Sequence, residues 1–424
     1  MSQPDPREEK VRAAVDSLTP DIVDFTCRLV AQPSTLCNEA SALAETESSW
    51  SNLGFVPERI AIDPGKLAGH PGLAPVPWDY EGRYNVVAVR RADRPGGRSA
   101  LFNGHLDVVS PEPVERWDMD PFSPVVRDGW IYGRGAGDMK AGVAAMTYAV
   151  KAIERAGFGL CGPVTLEAVI EEECTGNGAL ACLAAGHDAG AILIPEPFGP
   201  TILTSQVGVL WFKVSLSGVP RHVLETEHGV NAIEKCFPIV ERLRGLEEEI
   251  NREVHPSMAH LEHPLNLNIG KIQGGDWPST VPAMAEIHCR LGFSPGVSFD
   301  EMRRRVEETV SRAAEGDRWL RENPPRVEFY GFRSEGHFVE RNLPALELLA
   351  ACHRDLTGEI PADFASTCTT DLRTFVHYGK GQATCFGPVA ENIHAENERV
   401  LISSVVHTAR TFALFLARWC GVAE

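Results

Sequence analysis

The sequence predicts an α/β fold with a mostly parallel sheet, interrupted by a smaller α+β domain. The 424 residues exceed what one compact core usually holds, so two domains are expected. Helix-like and strand-like segments alternate through the first half of the chain, as a parallel sheet requires. The alternation gives way near Val207 to a strand–helix–strand–strand–helix run and then resumes. The predicted division is therefore 1–206, 207–324 and 325–424, with the middle segment inserted into the α/β domain.

The elements of the first segment follow from the spacing of apolar residues. Helices are predicted at 21–30, 38–53, 138–156 and 178–185, and strands at 84–89, 99–102, 164–170 and 191–194. The third of these helices has the clearest pattern, with Met139, Val143 and Met146 at helical spacing and Gly157 after its end. Residues 63–83 are rich in Pro and Gly and predict a loop.

The remaining segments are predicted in the same way. The insert is expected to hold strands at 209–216, 267–272 and 285–293 and helices at 230–250 and 298–315. The last segment should return to the α/β domain with a strand at 326–330 and helices at 344–356 and 400–419. An insert of this length is a normal size for a domain.

Composition excludes several classes of protein. Forty Lys and Arg against 58 Asp and Glu give a formal charge of −18, which predicts that the protein binds no nucleic acid. No apolar stretch approaches the ~18 residues of a membrane span. The first ten residues lack the apolar core of a signal peptide and suggest a frayed acidic start. Eleven scattered cysteines without a Cys-x-x-Cys pair favour reduced thiols, so a cytoplasmic protein is expected.

Five polar segments lie where a predicted strand ends or a helix begins, which is where open α/β sheets bind ligands. In the first segment, a strand leads into His105 and Asp107, and the two-residue period places both on one side. A carboxylate beside an imidazole can fix its tautomer, as at many metal sites. The alternative is an ordinary surface turn.

The second segment is the glycine-rich run from Gly133 to Gly137, followed by Asp138. A dinucleotide-binding loop is disfavoured, because Asp138 occupies the place of the third glycine and would oppose a pyrophosphate. The preferred interpretation places Asp138 at a helix N-terminus, with the glycines turning tightly around a buried carboxylate. A plain capping aspartate is the alternative.

Three further segments add carboxylates and a second imidazole. Glu171, Glu172 and Glu173 directly follow a strand, and such crowding is unfavourable unless cations are present or one group is protonated. One of them could then bind metal while its neighbour acts as general base, although a solvated charged turn is also possible. Glu196 stands between two prolines, and His394 lies in a loop before the last helix.

Together these segments offer imidazoles and carboxylates but no thiolate pair. Imidazole suits zinc, carboxylate suits harder ions such as manganese, and a mixed set suits a paired hydrolytic centre. Two cations can together polarise a carbonyl and deprotonate a water.

In this order, the five segments resemble the dinuclear-metal amidohydrolase family of acetylornithine deacetylase, succinyl-diaminopimelate desuccinylase, aminoacylase and the bacterial glutamate carboxypeptidases. The resemblance runs from the helix near residue 21 to the last helix. It implies that Asp138 bridges two divalent metals, with His105 and Glu196 on one and Glu173 and His394 on the other.

The same resemblance implies the catalytic roles. Glu172 would be the general base, and Asp107 would orient His105. The triple Glu leaves a one-residue ambiguity in this assignment. Zinc is the first expectation for the metal, with manganese or cobalt as alternatives.

The insert also matches the family, as a lid that commonly forms the dimer contact. His222 occupies the position of a histidine that often reaches the partner subunit's active site and stabilises an oxyanion. Here it is followed by Val223-Leu224, whereas the family usually has a small residue, so either the pocket is remodelled or the role is reduced. Arg290 matches the arginine that binds the substrate carboxylate, and Asn268 is a weaker substrate-binding candidate.

The resemblance implies a two-metal hydrolase that cleaves a C–N bond in a small carboxylate-bearing substrate, such as an N-acyl amino acid. The alternative within this mechanism is release of ammonia from an aromatic amine or another activated carbon, and a dipeptidase or carboxypeptidase is less favoured. From other classes, a nucleotide-dependent oxidoreductase would use the Gly133 loop. A non-catalytic relative is disfavoured, since all five ligand positions hold competent side chains.

Overall fold

The computed structural model describes residues 5–424. Its helices are α1 (Pro6–Ser17), α2 (Thr19–Val30), α3 (Ala40–Asn52), α4 (Pro64–Leu67), α5 (Ala141–Arg155), α6 (Asn177–Ala184), α7 (Cys236–Ile250), α8 (Phe299–Glu315), α9 (Arg318–Glu322), α10 (Pro344–Thr357), α11 (Leu372–Tyr378) and α12 (Ile402–Trp419). None of these helices combines the length and the apolar character needed to cross a bilayer.

The strands are β1 (Pro57–Ala61), β2 (Tyr84–Arg90), β3 (Ala100–His105), β4 (Val125–Arg127), β5 (Trp130–Tyr132), β6 (Gly159–Leu160), β7 (Val164–Val169), β8 (Ala191–Ile194), β9 (Ile202–Gln206), β10 (Gly208–Ser217), β11 (Leu267–Gly274), β12 (Met284–Phe293), β13 (Arg326–Ser334), β14 (His337–Phe338), β15 (Asp363–Ser366), β16 (Gln382–Cys385), β17 (Ala390–Glu391), β18 (Arg399–Leu401) and β19 (Val422–Ala423).

The first helix corrects the expectation for the N-terminal residues. The Asp5 side chain accepts a hydrogen bond from the backbone N–H of Arg7 (2.9 Å) and caps α1, which begins at Pro6. A proline in the first turn costs no hydrogen bond, so the helix forms where a frayed start was predicted. Residues 1–4 of that prediction lie outside the described residues.

A six-stranded sheet in the order β1-β2-β7-β3-β8-β16 forms the centre of the α/β domain. The four strands β7, β3, β8 and β16 are parallel, whereas β2 pairs antiparallel with both β1 and β7. The predicted parallel sheet is therefore confirmed, with an antiparallel extension at one side. Alternate residues of β3 face opposite layers, because Phe102 packs with the cluster of α5 and α12 while Leu101 packs with Phe375 of α11.

The insert is a four-stranded antiparallel sheet in the order β11-β12-β10-β13. Helices α7 and α8 pack against it, and Ile239, Leu243 and Val306 belong to its separate apolar core. The helix predicted from residue 230 begins only at Cys236, after a turn in which the Asn231 side chain accepts from the N–H of Ile233.

The sheet assignment of one strand was wrong. The strand predicted at 326–330 was given to the α/β domain, but β13 pairs with β10, from Ser215↔Arg326 to Val209↔Ser334. A strand pattern indicates extended backbone but does not identify the neighbouring strand. We therefore propose that the insert runs from 207 to 334 instead of ending at 324.

The two connections between the domains run side by side. β9 leads into the insert and β14 leads out of it, and the two pair antiparallel with His337 opposite Gln206. Gly208 and Gly336 lie where the backbones touch, because a Cβ on Gly208 would meet the Gly336 nitrogen at 2.7 Å. Both ends of the insert thus leave the α/β domain at one place.

Glu167, on β7, supports a prediction about stability and pH. Its side chain is fully buried, and among the described residues only Oε2 has a hydrogen-bond partner, the Nδ2 of Asn103 at 2.9 Å. Burial raises the pKa of Glu167 from 4.5 to about 8. The folded state therefore keeps a proton that the unfolded state loses, so stability present below pH 4.5 is lost as the pH rises toward 8.

Replacement of this carboxyl group by an amide should remove that loss. We compare the unfolding free energy of Glu167→Gln with that of the natural protein at each pH. The difference should shift in favour of the variant by roughly 1–3 kcal/mol between pH 5.5 and pH 8, because one pKa unit corresponds to 1.36 kcal/mol. Urea unfolding at the two pH values measures this difference. A difference that does not change with pH would show that Glu167 does not titrate in this range.

Candidate metal centre and substrate cavity

Three neighbouring parallel strands place acidic and imidazole side chains at one edge of the central sheet. His105 ends β3, Glu171–Glu173 follow β7, and Glu196 follows β8 after one proline. Since the carboxyl ends of parallel neighbours meet at the same edge, these side chains converge as predicted.

Asp138 and His394 come from outside the sheet. Asp138 lies in a π-helical turn over Ala136–Lys140 with extended dihedral angles (φ −111°, ψ 95°), and α5 begins only at Ala141. The predicted position of Asp138 at the helix N-terminus is therefore wrong by about one turn. His394 lies in the loop between β17 and β18, and pairing of β18 with β5 brings this loop beside the glycine-rich segment.

The distances place the Asp138 carboxylate between two imidazoles. Its Oδ1 lies 3.1 Å from His105 Nε2, and its Oδ2 lies 3.3 Å from His394 Nε2. His394 Nε2 also lies 3.0 Å from Glu173 Oε1. Ligand atoms of His105, Asp138 and Glu173 all lie within 4.8 Å of one another.

Glu196 completes the set of buried carboxylates. Its side chain is almost fully buried, and its Oε1 has no hydrogen-bond partner among the described residues. Burial and the nearby Asp138 carboxylate raise the pKa of Glu196 well above its usual range. Buried carboxylates crowded in this way are unfavourable without compensating cations, so the donor set fits divalent metal ions.

His105 is oriented by the main chain of Asp107. Its Nδ1 lies 2.9 Å from the backbone carbonyl of Asp107 but 3.6 Å from the Asp107 carboxylate. A proton on Nδ1 that is donated to this carbonyl leaves Nε2 free to bind a metal. The carboxylate and the backbone carbonyl of Asp107 both lie on the Nδ1 side of the ring, and orientation of His105 by the Asp107 side chain stays a prediction.

The Asp107 carboxylate also holds the acidic segment after β7. It accepts hydrogen bonds from the backbone N–H groups of Glu172 (3.3 Å) and Glu173 (3.1 Å). Burial raises the pKa of Asp107 to about 7. The first and third polar segments of the sequence are thus joined through this side chain.

The three consecutive glutamates have different surroundings. Glu171 is fully buried and accepts hydrogen bonds from Trp78 Nε1 (2.7 Å), Tyr80 OH (2.6 Å) and Thr175 Oγ1 (2.7 Å). It also forms an ion pair with Arg83. A carboxylate engaged in this way anchors the loop, which supports the assignment of functional roles to the next two residues.

Glu172 and Glu173 line a cavity of about 570 Å³. Burial raises the pKa of Glu172 well above its usual range, and its Oε1 has no hydrogen-bond partner among the described residues. The nearest cation is Arg373, whose Nη1 lies 3.6 Å from Glu172 Oε1. The position of Arg373 was not anticipated from the sequence.

The insert contributes Asn268 and Arg290 to the same cavity, opposite each other on β11 and β12. The Arg290 guanidinium donates to the backbone carbonyls of Thr367 (3.0 Å) and Asn266 (3.4 Å). Among residues 5–424, no carboxylate lies within ion-pair distance of Arg290. Burial lowers its pKa, so an anionic ligand would supply the missing charge.

His222 does not reach this centre within the single chain. It is exposed on the insert, where its Nδ1 accepts a hydrogen bond from the backbone N–H of Leu224 at 3.1 Å. The neighbouring side chains of Val223 and Leu224 are exposed as well.

Glu398 is a residue of the site that sequence reasoning missed. Its fully buried carboxylate accepts hydrogen bonds from the backbone N–H groups of Gly135 (3.0 Å), Gly137 (2.9 Å) and Asp138 (3.0 Å). It also pairs with Arg134 Nη1 at 2.5 Å. Glu398 therefore fixes the turn that carries Asp138.

We expect Glu398→Gln to destabilise the protein by about 3 kcal/mol, because it leaves the buried Arg134 guanidinium without its counter-charge. Metal affinity should fall as well, since the turn that holds Asp138 loses its anchor. Urea unfolding and metal titration measure the two effects, with Glu396→Gln in the same loop as the matched control. Equal stability of the two variants would refute this role for Glu398.

The sequence model of peptidase family M20/M25/M40 matches residues 101–418. The N-formyl-4-amino-5-aminomethyl-2-methylpyrimidine deformylase of Halalkalibacterium halodurans is 30% identical over 365 residues, covering 81% of this chain and 84% of the relative. The succinyl-diaminopimelate desuccinylase of Bordetella petrii is 27% identical over 323 residues, covering 73% and 80%.

Among solved structures, the dipeptidase Dug1p from Saccharomyces cerevisiae has the same fold. It superposes with a TM-score of 0.81 at 15% identity, covering 98% of this chain and 99% of that chain.

Proposed function

We propose that this chain, which belongs to peptidase family M20/M25/M40, removes an acyl group from an amine that bears a carboxylate. Members of this family related to the chain are metal-dependent hydrolases acting on carbon–nitrogen bonds, and the chain is an enzyme of the same class. The resemblance found in the sequence is confirmed at the level of the family. The names of the two relatives describe removal of a formyl group and of a succinyl group. Each of these reactions cleaves the amide bond between an acyl group and an amine nitrogen.

One observation carries this proposal. A single cavity is lined by Glu172, Glu173 and His394 of the carboxylate–imidazole centre and, from the insert, by Arg290, which has no carboxylate partner among the described residues. The planar fork of Arg290 suits a substrate carboxylate, and Asn268 lies directly across the strand pair to contact the same group. An amide whose amine side carries that carboxylate would extend from Arg290 toward Glu172.

We propose that two divalent metals bind at the centre, bridged by Asp138. His105 and Glu196 would complete one site, and Glu173 and His394 the other. Bound metals would polarise the amide carbonyl and acidify a water molecule. Zinc is the first candidate for this donor set, with manganese and cobalt as alternatives.

The chain's own groups then handle the proton. Glu172 would take a proton from the attacking water and deliver it to the leaving nitrogen, as a general base and then a general acid. Arg290 would hold the leaving amine in place through its carboxylate.

We also propose that the protein is a homodimer formed through the insert, and that it works in the cytoplasm. Val223 and Leu224, which follow His222 in the chain, and Trp277, three residues before its bridge partner Thr280, are exposed apolar side chains. The backbone N–H of Val223 donates to the Ser279 carbonyl (3.2 Å), so these side chains belong to one surface. Burial of this surface against a second copy would bring His222 to the partner's cavity, where it would stabilise the oxyanion.

Mixed dimers provide a test of this arrangement. His222→Ala and Glu172→Gln should each be nearly inactive alone, with losses of about 10²-fold or more. After complete subunit exchange of an equal mixture, half of the dimers combine the two variants, and each of these has one site with both Glu172 and His222. Activity should therefore return to about a quarter of the natural level. Failure of the mixture to regain activity, while light scattering shows that dimers form, would exclude a role for His222 across the interface.

A substrate panel tests the proposed function. N-formyl, N-acetyl and N-succinyl amino acids, dipeptides and aromatic amines would be assayed with zinc, manganese and cobalt, before and after chelation. We expect metal-dependent release of the free amine from at least one N-acyl amino acid and no turnover of N-acyl amines that lack a carboxylate. Turnover confined to dipeptides, or ammonia release from aromatic amines, would replace this proposal with the corresponding alternative.

A further inference from the structure

The insert gives the substrate cavity an aromatic wall, formed by Trp211 on β10 and by Tyr330 and Phe332 on β13. The Trp211 ring packs edge-on against both, with centroid distances of 6.0 Å to Tyr330 and 5.1 Å to Phe332. All three residues line the cavity that also contains Glu172 and Glu173. Aromatic side chains grouped in this way prefer edge-to-face or offset contacts with a further ring.

The backbone fixes the position of the Trp211 ring. Gly331 has φ +63°, and a Cβ there would lie 2.6 Å from the Trp211 ring. The Gly331 N–H donates to the Pro75 carbonyl at 2.8 Å, which ties this part of β13 to the α/β domain. A glycine is therefore required at the point where the tryptophan lies against the strand.

The Tyr330 ring is held as well. Its hydroxyl lies 2.7 Å from His288 Nδ1, and the two rings are nearly perpendicular with centroids 5.7 Å apart. His288 also lines the cavity. The wall is thus organised before any substrate binds.

The wall lies next to the proposed carboxylate site. Trp211 is directly opposite Arg290 in the β10–β12 ladder, and Arg290 is opposite Asn268 on the other side. Side chains directly opposite each other in an antiparallel pair have Cβ atoms about 5 Å apart. A ligand that places its carboxylate on Arg290 therefore meets the tryptophan within one cross-strand spacing.

We propose that this cavity selects N-acylated amines in which an aromatic ring stands next to the carboxylate, such as N-acyl aromatic amino acids. This inference rests on the proposed function, because it assigns the carboxylate to Arg290 and the scissile amide to the centre near Glu172. The ring belongs to the amine that leaves, since it shares that side of the substrate with the carboxylate. Trp211 and Tyr330 determine this preference by contact with the face or edge of the substrate ring.

The decisive measurement compares N-acetyl-L-phenylalanine with N-acetyl-L-cyclohexylalanine, which share the amide, the carboxylate and nearly the same size. We expect the natural protein to favour the aromatic substrate in kcat/KM by at least about tenfold, equal to about 1.4 kcal/mol. Trp211→Leu should remove this preference, because it should lower kcat/KM for the phenylalanine compound by a larger factor than for the cyclohexyl compound. Trp211→Phe should restore most of it.

Two controls keep the result interpretable. Phe237→Leu exchanges an exposed aromatic residue on α7 of the same insert and should leave both substrates unaffected. Tyr330→Leu gives the same readout if Trp211→Leu does not fold. Equal kcat/KM for the two substrates, or equal losses for both in Trp211→Leu, would overturn the inference without affecting the deacylase proposal.

Binding separates this inference from the proposed function. If no N-acyl amino acid is turned over, the deacylase proposal fails. The affinities of phenylacetate and cyclohexylacetate, measured by calorimetry, then test the aromatic wall without any need for turnover. Tighter binding of phenylacetate to the metal-loaded protein, lost in Trp211→Leu, would support the aromatic preference. Equal affinity for the two acids would overturn it.

Discussion

Glu172→Gln is expected to lower kcat by about 10²–10⁴-fold, the range that a positioned general base contributes. The substitution keeps the shape of the side chain but removes its ability to take a proton. The Glu172 carboxylate forms an ion pair with Arg373 at 3.6 Å, and in the variant Arg373 keeps a second carboxylate neighbour, Asp371, also at 3.6 Å. The variant should therefore fold and bind metal like the natural protein, so the loss would be confined to turnover.

Metal content and turnover measured on the same sample check this prediction. The control is Glu115→Gln, which makes the same exchange at an exposed position. A variant at Glu172 that retained more than half of the natural kcat would show that another group takes the proton. Glu173 would then be the next candidate, since the consecutive glutamates allow a shift of one residue.

Asp138→Asn is expected to reduce the bound metal from about two equivalents to less than one and to lower kcat by more than about 100-fold, because metal ions contribute several kcal/mol to such reactions. The Asp138 oxygens face His105 at 3.1 Å and His394 at 3.3 Å, so one carboxylate serves both proposed sites. An amide offers one good ligand oxygen in place of two. Both sites should weaken together for this reason.

Elemental analysis after dialysis, together with kcat over a range of zinc or manganese concentrations, tests this prediction. Asp128→Asn, at an exposed turn, is the matched control. Two retained equivalents of metal in Asp138→Asn would mean that Asp138 does not bridge. Loss of activity with full metal content would instead give Asp138 a role in orienting the substrate.

The convergence of the polar segments was predictable because it depends on a general property of parallel sheets. His105 and Glu196 end neighbouring parallel strands, so their approach follows once the strands are identified. Asp138 was placed in the right region, but its exact backbone was not, because a π-helical turn leaves the helical spacing of the following residues unchanged. Sequence periodicity therefore predicted the position of Asp138 relative to α5 to within about one helical turn.

Other features left no signal in the sequence. Glu398 differs from Glu396 only in being buried against the turn before α5, which depends on tertiary packing. Trp211 follows the apolar pattern of its strand, so its contact with the cavity could not be distinguished from a core position. The sheet of β13 was missed because strand patterns do not specify their partners.

The paired connections at Gly208 and Gly336 have a consequence for how the insert could be exchanged during evolution. The chain leaves and re-enters the α/β domain at adjacent backbone positions. A different insert between these two positions would therefore leave the six-stranded sheet of the α/β domain in place. The aromatic wall and Arg290 both lie in the insert, whereas every proposed metal ligand lies in the α/β domain. Exchange of the insert between related enzymes should therefore transfer the substrate preference and leave the hydrolytic reaction unchanged.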